Sequence, residues 1–461
     1  MTQLQGLDAF VERELPRYKD QLASLVAIPS ISCESAHNDD CIRVVRKTGT
    51  IAEAFGFTYQ LVETAGHPAL VAHLEVNSSA PWVTVYNHLD VQPVTAKEWY
   101  ITDPFSPHIT DEKIVGRGTT DDKGPMLAIL YAVHYLQQTK QLPVNVQLVY
   151  ETEEEIGSDN FGTMLDATQA SGLLKPADSV LISDTIFEGD NPAITYKLRG
   201  IAKAKMRIQL GSKGAAHSGF GGRLVVNPLH LMSEVIADCV YARTGAIKIP
   251  GIYTGLIQPR GGEDAQIREL VQHTTVEHML TDLGWSMGTT TDSFTALYNV
   301  GHLPTFEVHN IHGGEAGTKV PAYAEAHISI RLGLGQDPAT ILEKVEKYVT
   351  QKHPYVQFIS EGGFGASVTP IENPFMEKAR AACLTGYGKE ALIVAAGGSI
   401  GSVLQFQRVA PHAPVIMIAQ SLITDGYHAP NEEFRWSQAI GGIKTIATYL
   451  SSLGDLKTFR I

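Results

Sequence analysis

Seven acidic and imidazole side chains, His88, Asp90, Asp121, Glu154, Glu155, Asp184 and His428, are of the types that hold divalent metal ions. Nearly every one sits in a short turn after an apolar, β-rich run. In open α/β sheets, functional groups gather beyond the carboxyl ends of parallel strands. Mixed histidine and carboxylate ligands suit zinc, manganese or a related divalent ion. A pair of such ions activates a water and polarises a carbonyl together. The pattern therefore points to two-metal hydrolysis and says less about the substrate.

Each piece has its own chemistry. His88-x-Asp90 places a ligand and a carboxylate in one tight turn, and an imidazole binds metal well when its other nitrogen donates to an acid, which fixes its tautomer. Taken alone, the same pair also fits an ordinary surface turn. In Gly116-Arg117-Gly118-Thr119-Thr120-Asp121-Asp122-Lys123-Gly124 the glycines permit a sharp loop, and Asp121 emerges just before a helix. A carboxylate with two oxygens bridges two cations, whereas an Asp at that place also makes a good helix N-cap. Asp122 is expected to take the capping task and Asp121 the bridge. Glu151-Thr152-Glu153-Glu154-Glu155 closes a strand with four glutamates. Glu151 and Glu153 read as solvated charges, while adjacent Glu154 and Glu155 offer a division of labour: one ligates, the other moves a proton. Asp184 and His428 gain weight only from the set. Two ions sharing one bridge need about two further ligands each; with Asp121 as bridge, His88, Asp184, Glu155 and His428 supply that number.

The elements that must position these groups follow from periodicity. Leu7, Phe10, Val11, Leu15, Leu22, Leu25 and Val26 predict an amphipathic helix over 7–28, broken or restarted near Pro16. Strands are expected at 82–86, 144–150 and 179–183, each running into one of the acidic turns, with a helix after Gly124-Pro125. This alternation predicts an α/β fold with a mostly parallel sheet flanked by helices. Near Gly200 the rhythm changes to strict alternation, over 202–210 and again over 324–332, as in antiparallel strands with one solvated face. Glu361-Gly362-Gly363-Phe364-Gly365 reads as a return linker. A helix and a strand at 391–395 then resume the first pattern. The expected organisation is a catalytic domain built from 1–200 and 365–461, with an inserted α+β domain at 201–364.

Bulk properties narrow the class. At 461 residues the chain is long enough for two domains. Lys plus Arg number 36 against 49 Asp plus Glu, a formal net charge of −13, which disfavours nucleic-acid binding. Four cysteines (Cys33, Cys41, Cys239, Cys383) in no C-x-x-C arrangement suit a reduced, cytoplasmic chain. An acidic start without an apolar core is unlike a signal peptide, and no run approaches the roughly 20 apolar residues of a membrane span.

These residues also resemble a known family. Tyr86-Asn87-His88-Leu89-Asp90-Val91-Gln92-Pro93, Trp99…Asp103-Pro104-Phe105, the Gly116–Gly124 loop, Glu153-Glu154-Glu155-Ile156-Gly157-Ser158 and His217-Ser218-Gly219 are similar to the dinuclear metallopeptidases that include cytosolic non-specific dipeptidase and carnosinase. Carboxypeptidase G, aminoacylase and succinyl-diaminopimelate desuccinylase are more distant relatives. The match runs in order from Ile28-Pro29-Ser30 to His428-Ala429-Pro430-Asn431-Glu432. The resemblance implies a dipeptidase holding two divalent ions per subunit, zinc first, with manganese or cobalt as substitutes. Asp121 would bridge them; His88 and Asp184 would complete one site, Glu155 and His428 the other. Glu154 would activate a water lying between the metals, and Asp90 would orient His88. The inserted domain would be a lid that forms a homodimer, its His217 reaching the partner's active site to stabilise the oxyanion. Arg331 would hold the terminal carboxylate of a small peptide, helped by donors of the Gly397-Gly398-Ser399 turn. Read from the residues alone, His217 is a loop histidine and Arg331 a strand cation.

Two departures bear on specificity. Dipeptidase relatives carry an Arg-Glu pair before the Gly-Gly-Ser turn; here it is Ala395-Ala396. The segment Gly317-Thr318-Lys319-Val320-Pro321 also differs from the usual Lys-Thr-Val-Ile-Pro. An N-acyl-amino-acid deacylase using the same metals is the runner-up. A serine hydrolase is a rival from another class, because Gly397-Gly398-Ser399-Ile400-Gly401 fits G-x-S-x-G and Asp425 and His428 follow in order. That reading leaves the carboxylates without a purpose. A non-catalytic binding relative would need the ligands but not Glu154.

Overall fold

The computed structural model describes residues 4–260, 262–314 and 317–456. The chain divides into two compact units: Met1–Tyr196, Thr369–Val394 and Ile400–Ile461 form one, Lys197–Val368 and Ala395–Ser399 the other. Among the described residues no helix is long and apolar enough to cross a membrane.

In the first unit the apolar runs build a mixed sheet. Its strands lie in the order Thr58–Val62, Ala69–Leu74, Asn145–Glu151, Trp82–His88, Ser179–Ile182, Val415–Ile418 and Ala193–Leu198. The middle four are parallel. They are buried almost throughout, the condition under which a strand reads as a continuous apolar run. Register aligns their ends. His88 pairs with Glu151, and Tyr86 with Ile182, so the turns carrying Asp90, Glu154–Glu155 and Asp184 leave the sheet at one level.

Helix Gly124–Gln138, with Pro125 in its first turn, is buried on every side from Gly124 to Leu136. It packs against helices Leu7–Val26 and Trp436–Ser452, the setting in which a helix is apolar all round. The expected break at Pro16 does not occur: Leu7–Val26 is one helix with Pro16 inside it. Pro16 lies on the exposed side, where the carbonyl that loses its amide partner faces water.

The second unit centres on an antiparallel sheet in the order Glu307–His312, Tyr323–Leu332, Gly200–Gln209, Val356–Phe364. Ala202, Ala204, Met206 and Ile208 face a core shared with helices Pro228–Cys239 and Pro338–Lys352, while Lys203, Lys205 and Arg207 alternate outward. Glu361–Phe364 is not a linker but the end of a paired strand, with a register shift between Ser360 and Gly362. Glycine was misleading there because a bulge demands it as much as a loop does. The turn Ala395–Ser399, expected with the catalytic domain, falls in the second unit. Arg199 holds it: the Arg199 amide donates to Gly398 O at 3.0 Å and Nε to Gly397 O at 2.9 Å.

Candidate metal centre

The first unit brings five of the other six residues around Asp121. His88, the last residue of its strand, points Nε2 at Asp121 Oδ1, 2.9 Å away. His428 Nε2 lies 3.0 Å from Asp121 Oδ2 and 3.1 Å from Glu155 Oε2. Two donor sets result: His88, Asp121 and Asp184, and Asp121, Glu155 and His428, each with ligand atoms within 4.8 Å of one another. Asp121 belongs to both, offering one oxygen to each imidazole. The seventh residue, Asp90, lies behind them. His88 Nδ1 is 3.1 Å from the Asp90 carbonyl oxygen and 3.4 Å from its carboxylate. Asp90's carboxylate accepts instead from Ser32 Oγ at 2.7 Å and from the amides of Glu154 and Glu155.

Local backbone delivers these groups. Thr119–Lys123 is an irregular turn in which Asp121 leaves helical angles (φ −124°, ψ 87°), and the Asp121–Asp122 peptide is cis. Gly124 cannot be replaced cheaply, since a Cβ there would lie 2.2 Å from Thr119 O. Asp122 does not cap the helix that follows. It is buried and accepts from Asn87 Nδ2 at 2.6 Å, binding the loop to the His88 strand instead. His428 adopts φ +53°, a left-handed conformation that a non-glycine residue holds only where its surroundings enforce it.

The electrostatics call for a cation. Among the described residues none of Asp121, Glu154, Glu155 and Asp184 pairs with a lysine or arginine; Asp121 lies against both imidazoles and Glu155 against that of His428. Burial, with neighbouring Asp184, Glu155 and Asp121 adding to it and His88 opposing, pushes the Glu154 carboxyl well above the usual carboxylate range. Asp184 rises for the same first reason. Hydrogen bonds to Asp121 and Glu155 lift the His428 imidazole to about 10. Burial opposes charge on His88, but hydrogen bonds to Asp121 and Asp90 outweigh it and raise its pKa. So many acids held partly or wholly out of water are tolerated only when positive charge is supplied, and a divalent ion inverts this proton-holding logic. Imidazole and carboxylate donors, with His88 Nδ1 turned to a carbonyl oxygen, are the donor set such ions require.

Sequence reasoning passed over several supporting groups. Gln92 Nε2 donates to Glu155 Oε2 at 2.7 Å. Glu151, read as solvated, is buried and accepts from Tyr86 Oη at 2.7 Å and Ser158 Oγ at 2.9 Å; burial pushes its carboxyl up to about 8. Glu153, read the same way, is buried and takes the His67 amide at 2.9 Å and Asn160 Nδ2. Their signal was a strand still buried at its last residues.

The remaining candidates lie in the second unit. His217 is exposed, ends the short strand Ala216–His217, and accepts the Gly219 amide at Nδ1, 3.1 Å away, which leaves Nε2 as its donor. Arg331 Nη1 donates to Ser399 Oγ at 2.7 Å, and Ser399 Oγ donates to Arg199 O at 2.6 Å. Gly398 offers its carbonyl to Arg199. These contacts remove the serine-hydrolase alternative, because Ser399 serves two arginines. In the first unit the Asp425 carboxylate is taken by Leu422 N, Gln438 Nε2 and Thr120 Oγ1.

Comparison with known proteins agrees with this geometry. The chain is 27% identical to the Cys-Gly metallodipeptidase DUG1 of Candida albicans, covering 98% of this chain and 97% of that protein. It is 28% identical to the Beta-Ala-His dipeptidase of Homo sapiens, over 84% and 78% of the two chains. The solved structure of the dipeptidase Dug1p from Saccharomyces cerevisiae superposes with a TM-score of 0.89 at 25% identity, over 98% and 99% of the two chains. The profile of peptidase family M20/M25/M40 matches residues 84–452, and this chain belongs to that family.

Proposed function

We propose that this protein is a metal-dependent dipeptidase that hydrolyses the peptide bond of small peptides. One observation carries the reading: Asp121 presents one carboxylate oxygen to His88 and the other to His428, with half-buried Glu154 among the neighbouring acids. The dipeptidase relatives support the substrate class. In this reading His88, Asp121 and Asp184 would hold one divalent ion, and Asp121, Glu155 and His428 a second. Zinc suits these donors, with manganese or cobalt as substitutes. When bound, such a pair lowers the pKa of water and polarises the scissile carbonyl.

The chain's own residues do the rest. Glu154 takes a proton from the attacking water and returns it to the departing amine nitrogen, one group serving in turn as base and acid. Asp90 keeps Glu154 in place through its amide and keeps the His88 ring oriented through its carbonyl. Arg331, its guanidinium steadied by Ser399, holds the terminal carboxylate of the peptide, a planar match that lysine lacks; Gly398 belongs to the same turn. His217 donates from Nε2 to the oxyanion of the neighbouring subunit in a homodimer. Four unpaired cysteines, three of them buried, suit a reducing cytoplasm.

The test is turnover of free-amino dipeptides beside N-acetyl and N-succinyl amino acids, with and without a chelator. Chelator-sensitive cleavage of the dipeptides is expected. Activity confined to the blocked amino acids would overturn the reading. Glu154→Gln should lower kcat by about 10²–10⁴ while the metal content stays that of the wild type.

A further inference from the structure

Glu432 is fully buried and has no part in the chemistry above, yet its two oxygens collect four donors. Oε1 accepts the amides of Thr120 at 2.9 Å and Asp121 at 3.1 Å. Oε2 accepts the Gly118 amide at 2.9 Å and Arg117 Nη1 at 2.8 Å. Amides of one short loop converging on one anion form a nest. Gly118 allows it: its φ is +86°, and a Cβ there would lie 2.7 Å from Val91 Cγ1. The main chain joins the same two segments. Strands Lys113–Val115 and Glu433–Arg435 are antiparallel, and the Gly116 amide donates to Glu432 O at 2.9 Å. The loop bearing Asp121 and the segment that leads from His428 are thus sewn together at Glu432.

We infer that Glu432 is a positioning residue for the metal centre: its carboxylate fixes the Asp121 backbone relative to His428, and so sets the reach of Asp121 toward both imidazoles. The inference rests on the metal-holding role proposed for Asp121. A glutamate present only to neutralise Arg117 would need Oε2 alone; it is the pair of bonds at Oε1, one of them to the Asp121 amide, that makes it a support for the ligand. Glu432→Gln keeps the volume but turns an NH₂ group toward amide donors, so one side of the nest opens. Because Asp121 faces His88 with one oxygen and His428 with the other, displacing it weakens both metal equivalents together.

Calorimetric titration of metal-free protein with zinc reads this directly, alongside thermal melting. Wild-type protein should bind two equivalents. Glu432→Gln should raise both dissociation constants by about 10–100-fold, the usual cost of losing a group that supports a ligand. Ile51→Ala, which opens the core beneath helix Asn38–Ala54, should lower the melting temperature without changing either constant. Should Glu432→Gln not fold, Glu432→Asp, which keeps the charge and shortens the reach, carries the same expectation. Unchanged zinc affinity in the Glu432 variant, or weakening of one equivalent only, overturns the inference alone. A wild-type protein that binds no zinc overturns the metal-centre reading and the inference with it.

Discussion

Asp90 grips Glu155 by its main chain: a carboxylate oxygen of Asp90 accepts the Glu155 amide at 3.1 Å, and its other oxygen the Glu154 amide at 3.3 Å. The turn after one strand is thereby tied to the turn after its parallel neighbour, and a proposed ligand and a proposed base share one anchor. Asp90→Ala should therefore lose activity by about 10–100-fold even though Asp90 touches neither substrate nor metal in the proposed mechanism. Asp90→Asn, which keeps one acceptor, should lose less. Steady-state kinetics with measured metal occupancy checks both; equal losses in the two variants would contradict the anchoring role.

The proposed action of His217 across subunits has a direct consequence. Glu154→Ala and His217→Ala are each expected to be nearly inactive. Mixed after dissociation and reassociation, they should recover about a quarter of wild-type activity, because half the random dimers are hybrids and one of the two sites in each is intact. Absence of recovery, with hybrid dimers demonstrated by mass spectrometry, would contradict the action of His217 across subunits.

Arg331 and Ser399 should separate binding from chemistry. Arg331→Lys is expected to raise KM for dipeptides more than tenfold with a smaller change in kcat, because the planar fork is lost and the charge is kept. A dipeptide amide, which lacks the carboxylate, should react alike with both proteins. Ser399→Ala removes the acceptor of Arg331 Nη1 and should show a weaker version of the same pattern.

A buried histidine outside the metal centre predicts acid sensitivity. His302 lies 2.8 Å from Lys197 Nζ and is almost wholly buried. Burial first, and the Lys197 charge second, hold its imidazole at about 4. The folded state therefore binds fewer protons than the unfolded chain between about pH 4 and 6.5, so stability rises with pH across that window and is lost as pH falls through it. The loss is on the order of 3 kcal/mol by the linkage relation. His302→Gln, which keeps an acceptor for Lys197, should unfold in urea with less dependence on pH there; an unchanged dependence would contradict the assignment.

The parts of this site that lie along a strand were legible in the sequence. Val83–Tyr86 and Val146–Tyr150 announce buried parallel strands, and the acids that follow them stand where such strands end. Antiparallel pairing was legible too, because Lys203, Lys205 and Arg207 alternate with apolar neighbours. What could not be read were relations set by tertiary packing. Nothing in the spacing of Asp122 shows that Asn87 will claim its carboxylate, and nothing in Glu432 shows which amides will close on it. Local rules also failed where the environment overrode them: Pro16 continues a helix on a wet face, and the glycines of 361–363 belong to a strand.

The order in which the centre's parts occur along the chain carries a further meaning. The three middle strands that lead to the first proposed ligands are complete by Asp184, while His428 and Glu432 come more than two hundred residues later, after the whole second unit. During synthesis from the N-terminus, at about 5–20 residues per second, a nascent chain spends tens of seconds with His88, Asp121, Glu155 and Asp184 outside the ribosome and no second imidazole to join them. A half-made molecule of this kind owns one histidine for its acids and lacks the glutamate that holds Asp121. On the proposed ligand assignment, the centre stays incomplete until His428 has been made.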